Sequence, residues 1–317
     1  MVGGASPVWT KSAARPTVRR PHFLAAMTVR PRLSPSPTRI SVITPVFHAG
    51  DRLVEAVRSV QSQVKGPGVE IEHIIIADDQ QDYGVFAGRR NDVEVRVLST
   101  GVLGAGPSVA RNVGLRASQG DIVGFLDADD KWLPGRLLRL LPEVWARGAA
   151  VDRIRLVHPE APSEPRPLIP RSGYWSAEDA LTLDGAFFPL YHRDVIVHGW
   201  EEALRFSEDT VFNLRALLAS GGMTVIDAEL LEYRVWSTSL THRMPHAAIE
   251  ADRAYETMQK TLSDASSWAW LKEPLRGCFL ARIREKQAIN REYAAAWFEA
   301  PLLTFEQFMA RRAQGTL

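Results

Sequence analysis

The sequence predicts an α/β fold, a mostly parallel Rossmann-like sheet with helices on both faces, followed by a C-terminal helical region. Three observations carry that expectation. Apolar, β-branched runs of strand length alternate with segments of helical period from Ile40 to about residue 130. Two of those runs, "IIIADD" and "FLDADD", end in clustered carboxylates, where open parallel sheets bind their ligands. From Pro245 onward the segments are helical in period.

The elements follow in order. "ISVITPVF" is a buried strand, and "DRLVEAVRSVQSQ" after it repeats Leu53, Val54, Val57 and Val60 at helical spacing. "VEIEHIIIADD" and "VEVRVLST" are the second and third strands. "PSVARNVGLRASQ" is a helix opened by Pro107 and Ser108, and "DIVGFLDADD" is the fourth strand. Strands that alternate with helices imply a sheet covered on both faces. Asp78, Asp79, Asp127, Asp129 and Asp130 then fall beyond the strands' carboxyl ends. "HPEAPSEPRPLIP" carries five prolines and reads as an extended loop between two lobes. "SEDTVFNLRALLAS" is a helix stopped by Gly221 and Gly222, with one strand expected near "MTVIDAELLEYRVW". "AAIEADRAYETMQKTL" and "PLRGCFLARIREKQAINREYAAAWFEA" are helical, with Trp268, Trp270 and Trp297 as packing anchors. No internal repeat appears.

Composition narrows the function classes. A chain of 317 residues, 45% hydrophobic and 24% charged, has ordinary globular usage, which excludes collagen, coiled coil and whole-chain disorder. A single cysteine, Cys278, builds neither an internal disulfide nor a thiolate metal site. No stretch approaches a spanning apolar helix, so a lipid-borne substrate would be met from the membrane surface. The net charge of +1 conceals an asymmetry, because residues 1–39 hold seven Lys or Arg and no acid, leaving about −6 for the rest. A mildly acidic body does not advertise nucleic-acid binding. The basic, proline-rich residues 1–38 are expected to be a disordered leader; attraction to anionic lipid headgroups and a true start at Met27 are the other readings.

Three segments carry candidate chemistry. In "FLDADD", Asp127 and Asp129 repel at close range, and a cation or a sugar hydroxyl would compensate them. Mg²⁺ or Mn²⁺ suits such a pair, since it fills its other positions with phosphate oxygens and water. The structural alternative is a solvated turn with Asp130 as the N-cap of the helix in "KWLPGRLLRLL". "GAGPSVARN" combines a glycine-rich turn, a helix start and Arg111, which together suit a diphosphate. "TGVLGAG" faintly resembles a nicotinamide-binding fingerprint, but it follows the third strand, not the first. In "SEDTVFNLRALL", Glu208 and Asp209 are either a pair favoured by the helix dipole or, facing a metal-diphosphate site, a general base and its neighbour.

Taken in order, "ISVITPVF", "DRLVEAVRSVQSQ", "IIIADD", "GAGPSVARNVGL", "DIVGFLDADDKW", "SEDTVFNLRAL" and "EYRVWSTSLT" resemble the family-2 glycosyltransferases of the GT-A fold, over roughly 40–243. The resemblance implies an inverting, metal-dependent enzyme that moves a sugar from a nucleotide-diphosphate donor, UDP-sugar favoured, to a saccharide or lipid-linked saccharide hydroxyl. Surface polysaccharide or glycolipid biosynthesis is the implied setting. The implied location is cytoplasmic, with peripheral contact at the inner face of the plasma membrane as a further expectation. By the same resemblance, Pro45 and Phe47 border the nucleobase and Asp79 accepts a base N–H. Arg111 lies near the diphosphate, Asp127 contacts ribose and metal, and Asp129 holds the metal. Asp209 is the catalytic base, and Glu208 orients the acceptor or Asp209. The chain would divide into a leader at 1–38, a nucleotide-sugar-binding half at 39–151, an acceptor-binding half at 152–244 and a helical extension at 245–317.

The sequence departs from the family pattern at three places. His48 stands for the usual Asn, "DDQQD" is one residue short, and Trp236 replaces the common His. The first two touch the nucleotide pocket and the third the loop over the diphosphate. Acceptor selectivity is assigned to 158–200 and the helical tail, where Trp175, Trp200 and His242 either face a sugar or serve as core and loop residues. Two rival functions remain. An inactive nucleotide-sugar-binding protein would bind donor without transfer, and a sugar nucleotidyltransferase would release pyrophosphate.

Overall fold

A computed structural model describes residues 38–315 except 65, 161–163, 184–186, 237–243, 265 and 302; the basic leader lies outside the described residues. The first stretch runs β1 (Thr38–Val46), α1 (Arg52–Gln61), β2 (Val69–Ala77), a 3₁₀ turn, β3 (Gly88–Arg90), β4 (Val93–Ser99), α2 (Pro107–Ala117) and β5 (Ile122–Phe125). The second runs β6 (Lys131–Trp132), α3 (Arg136–Arg147), β7 (Ala149–Asp152), β8 (Arg155–Val157), β9 (Arg166–Pro167), β10 (Gly173–Trp175), α4 (Ala177–Ala180) and β11 (Leu190–His192). Then come α5 (Glu208–Ser220), β12 (Met223–Ile226), β13 (Leu231–Arg234), α6 (His246–Ser263), α7 (Leu275–Glu299) and α8 (Phe305–Gln314).

The strands at the sheet's centre pair in parallel, β1 with β2 and β5, and β2 with β4. Ile40, Val42, Ile43, Ile74, Ile75 and Ile76 are all fully buried, which is why these strands read as continuous apolar runs and not as alternation. Helix α2 packs directly on β1: a Cβ at Gly114 would come within 2.5 Å of Ile43 Cγ2. That close seat fixes where Arg111, one turn earlier, can reach.

One sheet of nine strands, in the order β10-β12-β7-β11-β5-β1-β2-β4-β3, spans both sides of the expected lobe boundary. β11 enters antiparallel between β5 and β7, a reversal that its three residues do not signal in sequence. A smaller sheet, β6-β13-β8-β9, lies beside it. The one strand expected near "MTVIDAELLEYRVW" is therefore two, β12 and β13, in different sheets.

The cause of that break is Asp152. Its carboxylate accepts the backbone N–H groups of Leu230 at 2.7 Å and Leu231 at 2.9 Å, and pairs with Arg136 at 2.8 Å. Neither side chain of the pair has any exposure, and Arg136 also donates to the Phe188 carbonyl at 2.9 Å. Removing one partner strands the other charge in the interior. Asp152→Ala is expected to cost about 3–5 kcal/mol in denaturant unfolding, and Asp152→Ala with Arg136→Met less than Asp152→Ala alone.

The C-terminal helices pack onto this body and onto each other. Asp252 on α6 accepts from Gln287 at 3.0 Å and Arg291 at 2.6 Å on α7, while Tyr255, Met258, Phe279 and Ile283 join the main core. Trp268 stacks on Phe279 and donates its indole N–H to Glu201 at 3.1 Å, so it is the anchor its sequence position suggested.

Candidate active site

The carboxyl ends of β1, β2 and β5 bring the sequence-derived residues to one edge of the sheet. Pro45 is half-buried near the end of β1, and Phe47 just beyond it is 48% exposed. Phe47 meets the His48 ring edge-on, at 4.4 Å between centroids. Asp79 organises this turn: it accepts the His48 backbone N–H at 2.7 Å, the Tyr83 hydroxyl at 2.8 Å and the Gln81 backbone N–H at 3.1 Å. Burial disfavours its charge, but those hydrogen bonds and the nearby His48 outweigh burial and hold the carboxyl below its ordinary range. The Asp79 side chain itself has no exposure, so it shapes the exposed Phe47–His48 surface from beneath.

The glycine-rich turn already contains an anion. Asp78 accepts the N–H groups of Ala105 and Gly106, each at 2.9 Å, and the Thr100 hydroxyl at 2.8 Å. Those two backbone donors, expected to be open to a phosphate, instead lash the turn to the end of β2. The helix start is held from inside the protein.

Arg111 is the centre of the site. One guanidinium nitrogen donates to Asp127 and the other to Glu208, each at 2.8 Å. The Trp200 ring lies 4.5 Å and the Phe188 ring 5.1 Å from its central carbon, and Arg111 is only 3% exposed. Its fork therefore joins the β5 loop to α5, and does not lie open along a diphosphate. Trp200 is likewise a wall and not a sugar platform: it is 4% exposed, stacks on Phe212 at 4.0 Å and 6°, and is held by Asn112 at 2.7 Å. Trp175 is buried as well. His242 lies outside the described residues.

Asp129 is half-buried, and burial followed by repulsion from Asp127 pushes its carboxyl up to about 6; Arg52 and Arg234 offset only part of this. Asp130 is buried and accepts the Arg234 backbone N–H at 2.8 Å. It does not cap the following helix, which starts at Arg136 after Gly135. Arg234 also donates to the Asp129 carbonyl at 2.5 Å and to Glu55 at 2.6 Å, so β13 buttresses the acidic turn. Trp236 beside it lies under the Arg52 guanidinium at 4.4 Å. Arg234 sits in the "EYRVW" stretch, but nothing in its spacing signals this contact.

On α5, Asp209 is half-buried in the first turn. Burial, then the charge of Glu208, pushes its carboxyl up to about 6 against the opposing pull of Lys286, Arg111 and the Thr210 N–H. Lys286 belongs to α7, nearly eighty residues on, and sequence reasoning missed it. Among the described residues no three His, Cys, Asp or Glu side chains converge as a ready-made metal cage. Two carboxylates suit a hard cation that takes its other ligands from phosphate and water.

Comparison with known proteins shows the family and the fold. A family model described as "Glycosyl transferase family 2" matches residues 41–231. The succinoglycan biosynthesis protein ExoO of Rhizobium meliloti is 26% identical over 239 residues, 68% of this chain and 67% of that protein. The uncharacterized glycosyltransferase EpsJ of Bacillus subtilis is 26% identical over 222 residues, 64% of this chain and 62% of its own length. This chain thus spans about two thirds of the length of these relatives. Among solved structures, S. aureus TarS 1-349 in complex with UDP superposes with a TM-score of 0.55 at 16% identity, covering 83% of this chain and 91% of that one. TarS 1-349 in complex with UDP-GlcNAc gives the same score over 83% and 92%. These likenesses show the GT-A fold with its helical C-terminal region. No helix among the described residues is long and apolar enough to cross a membrane.

Proposed function

From the premise that this chain belongs to glycosyltransferase family 2, we propose that it transfers a sugar, with inversion, from a nucleoside-diphosphate donor to a hydroxyl of a saccharide or lipid-linked saccharide. One observation supports this reading: the Arg111 fork ties the Asp127 turn to Glu208, and so joins the two elements that carry the half-buried carboxyls Asp129 and Asp209. Asp209 is the base. It takes the acceptor hydroxyl proton as the new oxygen–anomeric carbon bond forms and the bond to the diphosphate breaks. Burial raises its proton affinity toward that of a useful base near neutral pH.

Asp129 and Asp127 would hold Mg²⁺ or Mn²⁺, which supplies positive charge against the departing diphosphate. The fit rests on the crowding of two half-buried carboxyls on one turn: burial first, and then repulsion from Asp127, lift Asp129 to about 6, and a cation would relieve that repulsion. Phe47 and Pro45, with Asp79 beneath them, border the nucleobase. UDP is the favoured base carrier, in line with the TarS complexes with UDP and UDP-GlcNAc. The names of ExoO and of the putative teichuronic acid biosynthesis glycosyltransferase TuaG of Bacillus subtilis support a place in surface polysaccharide assembly, and the location proposed with it is the cytoplasmic side of the membrane. In this reading 39–151 binds donor and 152–244 meets acceptor.

A panel of nucleotide sugars tests the proposal by calorimetry and donor hydrolysis with and without Mn²⁺. One donor is expected to bind with metal assistance and to release nucleoside diphosphate, and Asp129→Ala should abolish the metal effect and lower turnover by at least about 100-fold. Release of pyrophosphate, or donor binding with no hydrolysis or transfer, would defeat the assignment.

A further inference from the structure

A third element, β13, borders both the acidic turn and α5. The antiparallel register that sets Leu231 against Trp132 and Glu232 against Lys131 carries Tyr233, next along β13, to the side of Asp130 at the end of the acidic turn. The strand is pinned on either side of it: the Leu231 N–H is held by Asp152 at 2.9 Å and the Arg234 N–H by Asp130 at 2.8 Å. Alternation along the strand turns Tyr233 to the face of the buried Leu231 and Arg234 to the other face, where it reaches Glu55 on α1. The half-buried Tyr233 side chain packs against the main core. Its position is therefore set by the fold before any ligand arrives.

The hydroxyl is the part of this residue that the fold does not use. It makes no hydrogen bond to any described residue, and it is not sealed away from solvent. Burial, then the charges of Asp130, Asp127, Asp129 and Asp209, push the phenol well above its ordinary range, so it is a neutral hydrogen-bond donor. Those carboxyls come from both sides of the proposed chemistry, three from the turn after β5 and Asp209 from α5. In an inverting displacement the group that lies between the departing diphosphate and the base is the sugar in transit. Its hydroxyls can accept from a phenol, whereas a further acid at this place would add to the repulsion and a cation would be drawn to the carboxylates.

Resting on the family-2 reading above, we propose that the Tyr233 hydroxyl contacts the transferred sugar itself, donating a hydrogen bond to one of its hydroxyls and so selecting and orienting it between Asp129 and Asp209. The phenol is fixed through its ring and pinned strand, so little freedom is lost when the sugar is held, and the anomeric carbon is kept in line between leaving group and base. A sugar that offers no oxygen at that place leaves the hydroxyl facing carboxylates without a partner, which is a source of discrimination.

Donor hydrolysis and calorimetry on the full chain with Mn²⁺ test this, with UDP-glucose, UDP-galactose and UDP-GlcNAc set beside bare UDP. Tyr233→Phe removes the hydroxyl and keeps the ring. It is expected to lower kcat/KM for the preferred sugar nucleotide by about tenfold or more and to narrow the ranking of the three sugars, while UDP affinity stays within about twofold and the denaturant midpoint is unchanged. Tyr233→Leu, which removes the ring as well, should lower the midpoint and lose the same sugar ranking, separating the packing of the ring from the contact of the hydroxyl. A kcat/KM for Tyr233→Phe within about twofold of the unaltered chain would overturn the assignment by leaving the hydroxyl idle. A UDP affinity that falls as far as kcat/KM would overturn it too, by making Tyr233 a residue of the nucleotide site or of the fold. Binding of UDP by the unaltered chain with hydrolysis of none of the three sugar nucleotides would overturn the transferase reading first, and the assignment with it.

Discussion

Asp209→Asn is expected to lower the turnover of sugar transfer by about 10³-fold, within the usual range for loss of a general base, while leaving donor affinity within about twofold. The substitution is nearly isosteric and removes the group that takes the proton. In the unaltered enzyme, turnover should fall tenfold per pH unit below an inflection near pH 6, because only the ionised carboxylate can act and burial has raised its pKa to about 6. The same shift has a consequence for stability with the opposite sign. An acid held more tightly protonated in the folded state contributes stability that is complete below its unfolded pKa of about 4 and lost as pH rises through 6. Asp209→Asn has no charge to bury. It should therefore be more stable than the unaltered chain at pH 8, on the order of 2 kcal/mol, and nearly equal to it at pH 4. Denaturant titrations at the two pH values, read beside the rate profile, check both signs. A variant that is inactive and less stable at pH 8 would mark Asp209 as a structural carboxylate.

How much of this was legible in the sequence follows from how each feature is encoded. The strands β1 and β2 announce themselves because both their faces are buried and their runs are long, β4 because it is β-branched over seven residues, and the four-residue β5 because the acidic turn follows it. The acidic turn and the Glu208–Asp209 pair are visible as local words. What the sequence hides is set by partners far along the chain. Asp78 looks like an open ligand, yet it is consumed by N–H groups 27 and 28 residues away. Arg111, Arg136 and Arg234 score as polar and suggest surface, but all three are buried against carboxylates supplied by other elements. Trp200 could be core or platform until Phe212 and the Arg111 guanidinium are seen on its two sides. Strands of two to four residues such as β6 and β11 are too short to show any period, so the reversal at β11 and the second sheet emerge only from pairing. Lys286 could not be found from motifs at all, because its meaning depends on where a separate helix docks.

Arg111 is where the two halves of the proposed mechanism meet, and it separates a structural from a chemical requirement. Arg111→Met leaves Asp127 and Glu208 without their shared counter-ion in a poorly solvated site, and is expected to cost about 3–5 kcal/mol of stability. Arg111→Lys keeps the charge but has one ammonium in place of a planar fork, so it can satisfy one carboxylate well and not both at once. It should therefore retain most of the stability and still lose roughly 10–100-fold in turnover, because a misplacement of about 1 Å between base and donor is enough for a loss of that size. A double-mutant cycle locates the coupling. With Arg111 present, Asp127→Asn and Glu208→Gln should be coupled in unfolding free energy by about 1 kcal/mol or more, since the two carboxylates share one guanidinium. In an Arg111→Met background that coupling should fall or change sign, as two like charges are then relieved by either substitution. Equal and additive effects in both backgrounds would mean that the β5 turn and α5 are held together by packing alone, with the Phe188, Trp200 and Phe212 cluster as the true hinge between donor and acceptor sides.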